Sequence, residues 1–106
     1  MPPLPVDRGE VWLTDLGMAA KVRPCLVLSV APGPPDRVLY TLVPRTTSFQ
    51  GTAFEVPLAV SFLQPGVFEA QGVVTVPRPR LIRRLGVLSP AQLAPVETAV
   101  RLWLGL

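Results

Sequence analysis

Apolar and polar positions along this chain alternate in short stretches rather than in one long period. Over residues 10–15, Val11 and Leu13 alternate with Trp12 and Thr14, the two-residue period of a strand. Residues 24–30 form an apolar run interrupted at Ser29, as expected of a central strand covered on both faces. Turn-forming residues fill 31–36, Ala-Pro-Gly-Pro-Pro-Asp, so 38–43 returns most simply as a hairpin partner. Between the first two strands, 16–21 reads as a loop. Pro44 is expected to end the third strand, and 45–51 to form a polar loop. Phe54, Val56 and Leu58 fall on one face of a short strand over 54–58, with Pro57 marking an edge or a bulge. Val67-Phe68 and residues 73–76 are further strand candidates, the second stopped by Pro77, and 79–85 reads as a short helical turn carrying arginines.

The C-terminus carries the clearest helix. Ser89 is a good N-cap, Pro90 suits the first helical position, and Gln92 completes a Ser-x-x-Gln capping box. Leu88 and Leu93 have the spacing of a hydrophobic staple. Leu93, Val96, Val100 and Trp103 recur at three- and four-residue intervals, giving one apolar stripe. Pro95 conflicts with it, because a missing donor and a bulky ring kink helices. Six short strands followed by one helix predict a mainly β chain, a small and strongly bent barrel closed by a C-terminal helix.

Composition narrows the classes of function. A length of 106 residues fits one domain, 1–106. No apolar run approaches the roughly 18 residues of a spanning helix, and Met1-Pro-Pro-Leu-Pro does not read as a signal peptide. Cys25 is the one cysteine and is expected as a small buried hydrophobe, so a cytoplasmic protein without disulfides is expected. The chain has no histidine, which removes the commonest general base and the commonest metal ligand together. The net charge is +3 and nine of the ten cations are arginine, whose fork suits phosphate groups. Arg78, Arg80, Arg83 and Arg84 crowd into seven positions, either a solvated face or part of an anion-binding groove.

Three stretches resemble one known family. They are Arg8-Gly9-Glu10-Val11-Trp12 with Asp15-Leu16, then Arg23-Pro24-Cys25-Leu26-Val27-Leu28-Ser29, then Pro44-Arg45-Thr46-Thr47 with Gly51 and Phe54-Glu55-Val56. With Arg84-Leu85-Gly86, Leu88-Ser89-Pro90 and the terminal helix, they resemble the MazF/PemK toxins over roughly residues 8–106. That resemblance implies an SH3-like barrel of the CcdB/PemK type and a homodimer. It also implies metal-independent cleavage of single-stranded RNA, without cofactor, by a toxin that a cognate MazE-like antitoxin neutralises. The family's catalytic Arg and Thr carry over to Arg23 and Thr46. Two departures stand out: the loop after Gly17 is short and lacks an acidic residue, and an Asp-Gln pair survives only as Ala70-Gln71.

The chemistry is coherent on the residues present. Strand cleavage by the RNA 2′-hydroxyl needs its proton removed, the phosphoryl charge stabilised and the leaving oxygen protonated. Arg23 supplies donors for the phosphoryl oxygens, and a Thr46 hydroxyl adds a hydrogen bond or orients the nucleophile. Arginine stays protonated and is a poor base, so no base is identified; Glu10 and Asp15 are the nearest acids in sequence. Candidate RNA contacts are Arg45, Thr47, Ser48, Gln71, Arg78, Arg80 and Arg83. Read without the resemblance, Arg23 is a strand-end partner for an acid, and Thr46, Thr47 and Ser48 are ordinary turn residues. Two rivals remain: a non-catalytic toxin of the gyrase-poison type, loosely echoed in Trp103-Leu104-Gly105-Leu106, and a degenerate member that binds RNA or antitoxin without cutting.

Overall fold

A computed structural model describes residues 4–17 and 21–106. Seven antiparallel strands precede one helix: β1 (Glu10–Asp15), β2 (Val22–Val27), β3 (Leu39–Thr46), β4 (Glu55–Pro57), β5 (Val67–Glu69), β6 (Val74–Pro77), β7 (Leu81–Val87) and α1 (Pro90–Leu104). The sheet order is β4-β5-β3-β2-β1-β7, and β6 also pairs with β3. The mainly β architecture with a terminal helix is therefore the expected one. Part of the expected 16–21 loop, residues 18–20, lies outside the described residues, as do the first three residues of the chain.

The sheet has an apolar cluster on each face. Opposed residues share a face, and Val11↔Leu26↔Val43 runs across β1, β2 and β3 on the side that α1 covers. Leu93, Val96, Ala99 and Val100 of α1 close this side, so the predicted stripe is buried through Val100. Trp103 departs from it. It is 42% exposed and meets Phe54 edge-on, with ring centroids 5.3 Å apart, because the helix has by then passed the core. On the other face Trp12, Cys25, Val27, Tyr40, Leu42, Val76 and Leu81 pack together. Cys25 is fully buried there, and burial pushes its thiol up to about 11.

The Ser89–Gln92 capping box forms in both directions. The helix also runs through Pro95. Pro95 leaves the Ala91 carbonyl without its intrahelical donor, at a residue that is exposed.

Several boundaries differ from the sequence expectation, among them that of β6, which does not stop before Pro77 but includes it. The second strand begins at Val22 and ends at Val27, two residues earlier than the apolar run starts and three before it stops. The fourth shrinks to Glu55–Pro57. The third does not stop at Pro44 but continues to Thr46. The Thr41 carbonyl accepts from Leu28 on the β2 side, so backbone alternation turns Pro44 to the opposite edge. There β3 exchanges one partner for another, from Leu42↔Val74 on β6 to Arg45↔Phe68 on β5, and no ladder bond needs the missing donor.

The largest difference is the expected helical turn over 79–85. Only Arg78–Arg80 turns, and Leu81–Val87 is a strand on β1. The register skips Ile82 between Thr14↔Leu81 and Leu13↔Arg83, and Leu85 between Trp12↔Arg84 and Val11↔Gly86. These bulges erase the alternation that marks a strand, and they also sharpen the sheet's bend.

Candidate active-site cleft

Two prolines shape the site. Gly9 donates to the Val27 carbonyl on the β1 side, so alternation turns Pro24 toward β3, where it has no N–H to give. The β2–β3 ladder accordingly stops at Cys25↔Pro44. Carrying that register on by two residues sets Arg23 (25 − 2) opposite Thr46 (44 + 2), on the face shared by Cys25 and Pro44. The strands are no longer laddered there, and the surface opens.

Arg23 lines a cleft of about 300 Å³ together with Leu16, Pro44, Glu69, Gly72 and Val74. Thr46 is 6% exposed. Its hydroxyl donates to the Ser48 carbonyl and accepts from the Ser48 N–H, both at 3.1 Å. Thr46 also borders a separate cavity of about 310 Å³ with Pro24, Arg45, Thr47 and Arg83. The two expected catalytic residues lie on adjacent strands beyond the last ladder pair, and they line different cavities, Arg23 the one with Pro44 and Glu69, Thr46 the one with Pro24 and Arg83.

Thr47 and Ser48 are exposed beyond that turn. The loop that follows is organised by Glu55, whose carboxylate accepts from the N–H groups of Gln50, Gly51 and Thr52 at 2.6–3.0 Å. The hydrogen bonds from Thr52, Gln50 and Gly51 hold its carboxyl below the usual range. Ser48, Gln50, Thr52, Glu55, Glu69 and Gln71 enclose a polar cavity of about 150 Å³ beside the Arg23 cleft.

The other arginines separate into distinct settings. Arg45 is 4% exposed, stacks 4.9 Å over the Phe68 ring and donates from Nη2 to the Gln64 carbonyl. Its Nε and Nη1 are buried without hydrogen-bond partners, and desolvation lowers its pKa. Arg78 lies 4.9 Å over Trp12 and donates to the Leu81 and Leu4 carbonyls, so it ties the arm before β1 to the sheet. Arg80 and Arg83 are exposed, Arg80 being 3.9 Å from Asp15. Arg84 pairs with Glu10 at 3.1 Å.

Both acids nearest in sequence are committed elsewhere. Burial raises Glu10, but hydrogen bonds from the Asp7 amide, Trp12 and Arg84 outweigh it and hold the carboxyl low. Asp15 accepts from the Gly17 N–H at 2.8 Å. Among the described residues, Glu69 is the carboxylate that lines the Arg23 cleft, and sequence reasoning missed it. Its signal was faint: an acid immediately before Ala70-Gln71, where an acid-containing pair is otherwise expected.

Known proteins agree with this architecture. A model of the PemK-like, MazF-like toxins of type II toxin–antitoxin systems matches residues 7–104. The Mycobacterium tuberculosis toxin MazF-mt6 is 31% identical with a TM-score of 0.78, over 92% of this chain and 97% of that one. A MazF from Deinococcus radiodurans is 29% identical with a TM-score of 0.82, over 98% and 100%. An endoribonuclease in complex with its cognate antitoxin, from a mycobacterial species, is 27% identical with a TM-score of 0.81, over 95% and 96%.

Proposed function

The chain belongs to the PemK-like, MazF-like toxins of type II toxin–antitoxin systems, and from that premise we propose that it is a sequence-selective endoribonuclease working in the Arg23 cleft. Single-stranded RNA lies across the gap between β2 and β3, and the 2′-hydroxyl attacks the adjacent phosphorus. The P–O5′ bond breaks, leaving a 2′,3′-cyclic phosphate and a 5′-hydroxyl. This route asks for no metal, in keeping with a chain that has no histidine.

The observation that carries the reading is the placement of Arg23. Arg23 borders a cleft whose other walls are mostly apolar, Leu16, Pro44 and Val74, with Glu69 as the one acid among the described residues that line it. A preorganised donor aimed at developing charge contributes roughly 3–4 kcal/mol to the transition state. Thr46 acts from the facing strand by fixing the Ser48 backbone, which starts the loop over 47–52. Thr47, Ser48, Gln71, Arg80 and Arg83 are the exposed groups around this region and contact RNA. Arg45 and Arg78 support them from inside the sheet faces. The toxin acts in the cytoplasm as a homodimer, and a cognate antitoxin with an acidic or amphipathic tail covers the groove.

The test is to incubate a long RNA in EDTA with wild type and with Arg23→Ala. Wild type is expected to cut at a recurring short sequence and Arg23→Ala at least a hundredfold more slowly. Equal cutting by both proteins removes the assignment.

A further inference from the structure

Glu69 occupies a position that the proposed reaction leaves open. On β5 the pair Arg45↔Phe68 sets the register with β3, so the next residue, Glu69, stands beside Pro44. Pro44 in turn stands opposite Cys25 on β2. Glu69, Pro44, Cys25 and Arg23 therefore share one face across three adjacent strands. Strands lie roughly 4.8 Å apart, which puts the backbones of β5 and β2 about 10 Å from each other with Pro44 between them. Side chains reaching inward from Glu69 and Arg23 leave room over the Pro44 ring for one phosphodiester and its ribose. Gly72 adds to that space, because a Cβ there would press on the Pro44 ring at 3.2 Å.

We propose that Glu69 is the general base of this reaction, taking the proton of the 2′-hydroxyl while Arg23 holds the phosphoryl oxygens. The inference rests on the ribonuclease reading above. Among the described residues the Glu69 carboxylate makes no hydrogen bond or ion pair, whereas Glu10, Asp15, Asp36, Glu55 and Glu97 are each engaged. It is half-buried, and it lines both the Arg23 cleft and the polar cavity next to it. The charged groups facing it are Arg23 across Pro44 and Glu55, its register partner on β4. The carboxylate of Glu55 is already spoken for by the amides of Gln50, Gly51 and Thr52. In the step itself, the O2′–H proton passes to a Glu69 oxygen and O2′ bonds to phosphorus. The P–O5′ bonding pair stays on O5′, which takes a proton from solvent.

Single-turnover cleavage of a short RNA carrying the mapped site tests this, using wild type, Glu69→Gln, Glu69→Asp and Arg23→Ala. A positioned base contributes typically 10²–10⁴-fold. Glu69→Gln is therefore expected to fall by about that factor and to lose the acid limb of the wild-type pH–rate profile, with Glu69→Asp recovering part of both. Affinity for the same oligonucleotide with a 2′-deoxy residue at the cut site stays within about twofold of wild type, and the melting temperature hardly moves. A substrate with sulfur in place of O5′ leaves without protonation, so it rescues loss of an acid but not loss of this base. A Glu69→Gln rate equal to wild type, an unchanged pH profile, or rescue by the sulfur substrate overturns the assignment while the nuclease reading stands. If wild type and Arg23→Ala both leave RNA intact, the nuclease reading itself falls and takes this inference with it.

Discussion

Gly66 offers a sharp test of how the site is held together, because its lack of a side chain is a matter of space. A Cβ built there presses directly on the Thr46 carbonyl oxygen, 3.2 Å from the carbonyl carbon and 3.3 Å from Arg45 Nε. The obstacle is mainly backbone in the β3–β5 ladder, Thr46↔Val67, and cannot swing aside. In an interior packed as densely as a crystal, Gly66→Ala forces the carbonyl back by about 1 Å. Overpacking of this kind costs roughly 1–3 kcal/mol, and the strained ladder and the Thr46–Ser48 turn add about 1 kcal/mol. The sum, about 2–4 kcal/mol, is a large share of the roughly 5–15 kcal/mol that holds a domain of this size. It lowers the melting temperature by about 10 °C or more. Gly86→Ala is the control: its Cβ meets the Phe62 ring, Cζ at 2.6 Å, and that half-buried side chain, unlike backbone, can swing aside as a whole, so the loss is nearer 1 kcal/mol. Urea and thermal unfolding of both variants measure the difference. Gly66→Ala melting within roughly 2 °C of wild type, or no lower than Gly86→Ala, refutes the reasoning.

Further outcomes follow from the caps, the buried thiol and the rim. Ser89→Ala removes one half of the capping box and is expected to lose about 1 kcal/mol in urea unfolding, with Ser89→Gly losing only a few tenths. Cys25 keeps its proton when folded up to about 11, whereas the unfolded thiol ionises near its ordinary value, so stability contributed by the neutral thiol is intact below about pH 8.5 and declines as pH rises toward 11. The fall across that window, on the order of 2–3 kcal/mol, should be absent in Cys25→Ala when urea midpoints are compared at pH 8 and 10.5. Arg83 on the exposed rim is expected to carry one phosphate contact, so Arg83→Ala reduces the slope of log affinity against log salt by about 0.7 for single-stranded RNA. An unchanged slope removes Arg83 from the interface.

Much of this was legible where local chemistry decides. Ser89, Pro90 and Gln92 specified a helix start that any surroundings would have permitted, and the run from Cys25 specified a strand buried on both faces. What the pattern concealed depends on partners distant in sequence. Pro44 looked like a strand end because the gap between β6 and β5 that excuses its missing donor is a tertiary fact. Residues 81–87 lost their alternation to two bulges fixed by β1. Within the site, Arg23 and Thr46 stood out only through the family resemblance of the motifs around them, while Arg45, expected as an RNA contact, is enclosed by Phe68 and the Gln64 carbonyl. Glu69 remained hidden, since its importance arises only when β5, β3 and β2 lie side by side.

The central claim is that RNA is cut by its own 2′-hydroxyl within the Arg23 cleft. A single 2′-deoxy substitution at a mapped cleavage site, in an RNA with a second intact site, tests it most directly. The substituted site is expected to survive while the intact one is cut to a 2′,3′-cyclic phosphate and a 5′-hydroxyl. Cutting at the deoxy position, or fragments bearing a 5′-phosphate, would contradict it.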